Sequence, residues 1–275
     1  FAARAPEAFR LMPLSAIEAW IIQAMDVYDK QGLYPGCSAF GQLQAFAAET
    51  AAAAHSMALE EIQHVLELFV QGLAGRPLKV EAAADTYTDT ATLFLPARLH
   101  RFAERHDNFR LYKAMAAHLW AQTWYGTWRL APGTPSLTET LAACGDAEKA
   151  TRLFHALETL RLNACIAREL PGLHRDMQEV QRLCGEVSYP DAWKPALQRL
   201  TDAEATVSDS LALLPALLAG EIPAPFCFQG MLSPERAQQA MQVRPLNNAA
   251  RRRPGVPCAH EMATISTPNG RLAKK

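Results

Sequence analysis

At 275 residues, with 49% hydrophobic and 20% charged positions and a formal net charge of −1, the chain can bury a substantial core as one large domain or two. A mean hydropathy of −0.08 and the lack of an apolar run of transmembrane length argue against membrane insertion and for a soluble protein. From Met231 to Lys275 eight Arg and Lys stand against two Glu, a local balance of +6 that leaves about −7 on the preceding residues. This basic stretch has no aromatic residues to stack on bases, so it reads as a solvated, poorly ordered tail rather than a nucleic-acid binder. The expected division is therefore a helical domain over 1–230 and a tail over 231–275.

The start, Phe1 to Glu7, lacks the apolar core of a signal peptide; it also lacks Met, so the chain reads as processed or as a fragment. Leu14 to Gln31 carries Ile17, Trp20, Ile21, Ala24, Met25 and Tyr28 at helical spacing and stops before Gly32 and Pro35. Phe40 to Ala54 and Ala58 to Leu73 repeat the pattern, and Gly75-Arg76-Pro77 punctuates the chain. Leu78 to Ala82 and Thr88 to Leu95 are the strand candidates, joined through Asp85-Thr86. One hairpin cannot stand alone and must lean on helices. The expected fold is mainly α, a multi-helix domain with one small β-hairpin packed on a central helix.

That central helix is Asn108 to Arg129. Phe109, Tyr112, Met115, Ala116, Leu119 and Thr123 fall on one face, and Trp120, Trp124 and Trp128, four residues apart, stack on another. Two apolar stripes imply contact on two sides. His118 and Gln122 have the i, i+4 spacing of the two histidines in an H-E-x-x-H zinc helix. A Gln amide is a poor zinc ligand, and Leu119 occupies the position of the general base. The layout is thus that of a metalloprotease whose metal-binding half is missing, and His118 reads as a hydrogen-bonded interior histidine. No metal, cofactor or catalytic residue is expected.

Leu137 to Cys144, Ala147 to Glu169, Leu173 to Cys184 and Ala192 to Ala219 read as further amphipathic helices, with Pro195 and Pro215 near a first turn or at a kink. Ile222 to Gly230 reads as a packed-down extended strap. The six cysteines (Cys37, Cys144, Cys165, Cys184, Cys227 and Cys258) show no C-x-x-C pair, which points to reduced, individually placed thiols and a cytoplasmic location. No phosphate loop, G-x-G-x-x-G, nucleophile elbow or D-x-S-x-S motif occurs, so no ATP hydrolysis is expected of this chain. Carboxylates pair up at Asp85 and Asp89, Glu60 and Glu61, and Glu18 and Asp26, mostly as surface charge. Asp89, framed by two threonines, is placed to cap a turn or the N-terminus of a neighbouring helix, with partner binding as the alternative.

The run Tyr87-Thr88-Asp89-Thr90, Thr92-Leu93, Leu95-Pro96, then Asn108-Phe109, Tyr112-Lys113, then Ala117 through Thr127, resembles the CbbO/NorD family. Asp26 to Asp29, Gly32 to Pro35 and Phe228 to Gly230 fit the same pattern, so the resemblance covers about residues 14 to 240. It implies a cytoplasmic, non-catalytic adaptor that works with a MoxR-type AAA+ ATPase ring on a client enzyme, Rubisco in one branch and nitric oxide reductase in the other. The Trp-rich segment 117–127 is closer to the Rubisco branch. Family members end in a von Willebrand A domain. This chain stops before one, either as an N-terminal fragment or because the segment after Gln242 stands in its place. The residues singled out for partner binding or structure are Asp89, Tyr112, His118, Trp120, Gln122 and Trp124. The alternative is a degenerate metallopeptidase-like hydrolase centred on His118.

Overall fold

Helical periodicity dominates the chain, and the computed structural model, which describes residues 2–243, is mainly helical, with twelve α-helices and five short strands among those residues. The first helices are α1 (Ala5–Leu11), α2 (Leu14–Gln31), α3 (Leu33–Gly41) and α4 (Leu43–His55). The helix expected over Phe40 to Ala54 is divided at Gly41 and Gln42, because glycine is a weak helix former and ends helices readily. These four helices enclose a small core of their own around Ile17, Trp20, Leu43 and Ala47. Trp20 meets Phe40 edge-on at 5.2 Å.

Next come β1 (Met57–Ala58), α5 (Leu59–Ala74), β2 (Lys79–Ala82), β3 (Tyr87–Thr88), β4 (Thr92–Leu95) and β5 (Arg98–Leu99). The expected hairpin is corrected here. β2 pairs with β4 in parallel, β3 pairs with β4 antiparallel, and the sheet order is β2-β4-β3. The strand expected over Thr88 to Leu95 folds back on itself at Asp89-Thr90-Ala91. Asp89 Oδ1 accepts from the backbone N–H of Ala91 (2.8 Å) and Thr92 (2.7 Å), while Thr88 Oγ1 accepts from Thr90 N–H and donates to the Thr92 carbonyl. Thr90 sits at φ 78°, in the left-handed region that a non-glycine residue enters only when held there. β1 and β5 form a second, antiparallel pair.

The remaining helices are α6 (Arg105–Trp124), α7 (Leu137–Ala142), α8 (Ala147–Glu169), α9 (Pro171–Cys184), α10 (Lys194–Leu200), α11 (Val207–Leu217) and α12 (Pro234–Val243). α6 is the central helix. It packs on α5, α8, α9 and β4, so every residue from Leu111 to Gln122 except Lys113 is buried, in place of two separate stripes. It ends at Trp124 rather than Arg129: Gly126 adopts φ 79° and the Thr127 N–H closes back onto the Gln122 carbonyl at 2.9 Å, a glycine-dependent helix stop. Trp128 therefore leaves the helix and packs against a different core.

That second core gathers Leu153, Phe154 and Leu157 of α8 with α7, α10 and α11, whereas Leu162 and Ile166 of the same helix belong to the main core around α5, α6, α9 and the sheet. α8 thus ties the two together. The helix expected over Ala192 to Ala219 is two helices, with Pro195 in the first turn of α10 and Pro215 inside α11. The strap is packed down as expected: Phe228 is buried in the main core and the Cys227 N–H donates to Gln181 Oε1 at 2.9 Å. At its end Gly230 has φ 66° and lies so close to β3 that a Cβ would stand 2.4 Å from the Thr86 carbonyl oxygen. The expected tail is corrected at its beginning. Leu232 joins the second core, α12 buries Ala237, and the Arg236 guanidinium lies 4.3 Å from the Tyr87 ring centroid. Residues 244–275 lie outside the described residues. No described helix is long and apolar enough to cross a membrane.

Candidate functional site

A group of buried polar side chains, among them His118, Gln122, His155, Glu158 and Arg161, lies on α6 and α8. α8 starts on Asp146, whose Oδ1 accepts from the Lys149 N–H at 2.9 Å. It then runs Phe154, Glu158, Leu162 at four-residue steps, which places a carboxylate inside an apolar stripe. Glu158 is fully buried, and Arg161, one turn on, is 2% exposed. Glu158 Oε1 accepts from Ser210 Oγ (2.6 Å) and Arg161 Nε (2.8 Å), and Oε2 accepts from Thr127 Oγ1 and from an Arg161 terminal nitrogen (2.6 Å). The other Arg161 terminal nitrogen donates to the Tyr125 carbonyl at 3.2 Å. Four donors thus meet the four lone-pair sites of one carboxylate. Burial pushes the Arg161 guanidinium down, and the hydrogen bonds and charge of Glu158 outweigh it, so its pKa is raised. The cluster joins the turn after α6, α8 and α11. It has no lone pair free for acid or base work.

Elsewhere on these two helices the arrangement differs. His118 on α6 and His155 on α8 are both buried, with their Nε2 atoms 3.5 Å apart. His118 is interior and hydrogen-bonded as expected, through Nε2 alone; its Nδ1 has no partner, nor has either amide atom of Gln122. Burial pushes the His118 pKa down to about 3 and that of His155 well below its usual value, the second helped by the nearby His118, so both rings are neutral at pH 7. Among the described residues no three His, Cys, Asp or Glu side chains are grouped so as to hold a metal ion. Two imidazoles alone fall short of a zinc ligand set.

The other singled-out residues are placed as follows. Asp89 caps the β3–β4 turn, the first of its three expected roles. Tyr112 is buried and its hydroxyl donates to the Pro96 carbonyl at 2.7 Å, with burial raising its pKa to about 12. Trp120 is buried and stacks on Trp124, ring centroids 5.6 Å apart, while Trp124 is 48% exposed. The expected common tryptophan face therefore divides into one buried ring, one surface ring and one beyond the helix end. His118, Gln122, Trp120 and Tyr112 share the interior of α6, and Asp89 lies apart from them. Sequence reasoning missed His155, Glu158, Arg161, Thr127 and Ser210. The available signal was a charge pair at i, i+3 between apolar residues that repeat at helical spacing. The described cysteines Cys37, Cys144, Cys165, Cys184 and Cys227 are free thiols, as expected, and burial, with Cys184 nearby, pushes the Cys227 thiol up.

Comparison of the chain with protein-family models, with curated proteins and with solved structures gives no match.

Proposed function

We propose that this chain is a non-catalytic accessory protein that works with a MoxR-type AAA+ ATPase to activate or remodel a client enzyme, Rubisco first and nitric oxide reductase next. The reading starts from the resemblance carried by Tyr87 to Pro96 and Asn108 to Thr127. The observation that supports it is that these segments form one packed unit. The Tyr112 hydroxyl holds the Pro96 carbonyl, and Leu93 and Leu95 share a core with Leu111, Met115 and Leu119. These two of the resembling segments thus pack on one another in the main core.

The surface suits docking better than chemistry. Glu158 is saturated by four donors, and His118 is sealed from substrate. By contrast Ile22, Met25, Leu33 and Tyr34 on α2 and α3 are exposed, as is Trp124, and these apolar side chains are open to a partner. A metallopeptidase-like hydrolase centred on His118 is the weaker reading, since Gln122 supplies no imidazole and Glu158 is taken by Arg161.

The test is size-exclusion co-elution of the full chain with a MoxR-type ATPase, with and without ATP, while ATPase rate is followed. Co-elution or a changed rate supports the adaptor role; no association in either nucleotide state overturns ring docking by this region. Stoichiometric zinc that is lost in His118→Ala would instead favour the hydrolase.

A further inference from the structure

The first turns of α8, the strap and the residues that follow it enclose a groove of about 870 Å³. That volume suits a small-molecule site, in which apolar walls surround a few polar groups. The strap wall is fixed at two points: Phe228 is buried in the main core, and the Met231 N–H donates to the Thr86 carbonyl at 2.7 Å. The apolar lining comes from Ala156 on α8 and from Ile222, Pro223, Pro225 and Leu232.

Two polar side chains of the lining are almost wholly covered: His155 is 5% exposed and Gln229 4%. Each has one nitrogen, His155 Nδ1 and Gln229 Nε2, that makes no hydrogen bond among the described residues and yet is not sealed from solvent. The groove is the opening that the two share. Both nitrogens are donors. Gln229 Oε1 accepts from the Phe226 N–H at 3.1 Å, which fixes the amide with its NH2 free. His155 Nε2 is taken by His118 Nε2 at 3.5 Å, and His118 Nδ1 is sealed without a partner. A buried N–H without a partner is rarer than an unused lone pair, so His118 holds its proton on Nε2 and donates it. His155, kept neutral by burial, then carries its own proton on Nδ1.

Two cations stand on the same wall. Arg152 and Lys149 lie one and two turns back along α8 from His155 and line the groove. Neither makes an ion pair among the described residues, and nor does Glu148, the one carboxylate on the groove. The Thr151 hydroxyl is used within its own helix, donating to the Ala147 carbonyl at 2.7 Å. The groove thus offers neutral donors and an excess of one positive charge, beside carbon walls. An amine would meet two cations, an inorganic anion would leave the walls wet, and a neutral apolar molecule would strand the donors. We propose that this groove binds a small organic acid, a single negative charge carried on an apolar body. Its acid oxygens accept from the His155 and Gln229 donors and balance the excess charge of Lys149 and Arg152, while its body lies on Ala156, Pro223 and Leu232. This assignment rests on the groove alone and is independent of the accessory role proposed above.

The experiment is a fluorescence titration of the full chain with 1-anilinonaphthalene-8-sulfonate, set against N-phenyl-1-naphthylamine, which has the same rings and no acid group. The acid should bind at least about tenfold more tightly, as expected for loss of one charge-assisted hydrogen bond, and 2-naphthoate should displace it. The double variant Lys149→Gln, Arg152→Gln should remove that preference and leave the thermal unfolding midpoint unchanged, since neither side chain is paired. His155→Phe keeps a ring and removes the donor, and should weaken binding about fivefold. Ala224→Trp, from an exposed position on the strap wall, should fill the groove and abolish binding, whereas Ala167→Trp, in the separate groove between α8 and α9, should not change it. No binding of the acid overturns the proposal, as does equal binding of the neutral analogue. So does a preference that survives the double variant, or binding that survives Ala224→Trp. Displacement by inorganic phosphate or by an acetylated Glu-rich hexapeptide, as effective as by 2-naphthoate, would overturn the assignment to a small organic acid. If His155→Phe does not fold, the double variant still decides.

Discussion

α6 and α8 carry two buried polar groups of opposite character. Around Glu158 every lone pair and most donors are matched, and the cluster bolts three segments distant in sequence, at Thr127, Glu158–Arg161 and Ser210. Around His118 and Gln122 the same two helices enclose polar atoms that find no partner. Buried charge is tolerated only when fully satisfied, so the Glu158 cluster is where the fold depends on one arrangement. The His118 region instead carries a cost that the surrounding apolar packing offsets. The contrast teaches that burial alone does not reveal importance for stability. What the buried group would leave behind decides it.

The largest expected effect follows from breaking the satisfied cluster. Glu158→Ala leaves the Arg161 guanidinium enclosed without its carboxylate, and urea unfolding should report a loss of about 3–5 kcal/mol. A loss below about 1 kcal/mol would mean that water reaches the pair and that the contrast is false.

Second comes pH. His118 and His155 have folded pKa values below the unfolded value near 6.5. Below about pH 6.5 the unfolded chain takes up protons that the folded chain refuses, so stability is full above that value and falls as pH falls. At pH 5 His118 alone should account for about 2 kcal/mol. In His118→Gln the difference in unfolding free energy between pH 7 and pH 5 should shrink by that amount; an unchanged difference would show the ring to be solvated.

Thr127→Val should cost about 1–1.5 kcal/mol by chemical denaturation, since Glu158 keeps three donors and loses one. The smallest effect, and the one of opposite sign, belongs to the unsatisfied region. Gln122→Met removes two unpartnered amide atoms at similar volume, and the melting temperature should hold or rise, by up to about 1 kcal/mol of stability. A destabilisation above about 2 kcal/mol would reveal a partner for that amide and would merge the two regions into one class.

Much of the architecture is legible in the residues because local chemistry decides it. α2 runs from Leu14 to Gln31 as its periodicity and Gly32 require, Pro195 opens α10, and Asp89 caps the turn that its flanking threonines suggest. The stop of α6 was also written in the sequence, at Gly126, but the aromatic spacing through Trp128 masks it. The partner of β2 is different. Val80 and Leu93 face each other in a parallel pair because β3 folds back beyond β4, and strand order depends on which edges meet across space, which no local pattern encodes. The same holds for the candidate site. His118 and Gln122 are visible at i, i+4 on one helix, whereas His155 reaches His118 only through the packing of α8 on α6.

The sequence by itself therefore determined a mainly helical chain, with its turns, its stops and a central helix, since these follow from periodicity and backbone preference within a few residues. Only the tertiary structure decided which polar side chains are enclosed together and which are left unpaired. Desolvation depends on every element that covers a group, and the segments that cover Glu158 come from three separate parts of the chain.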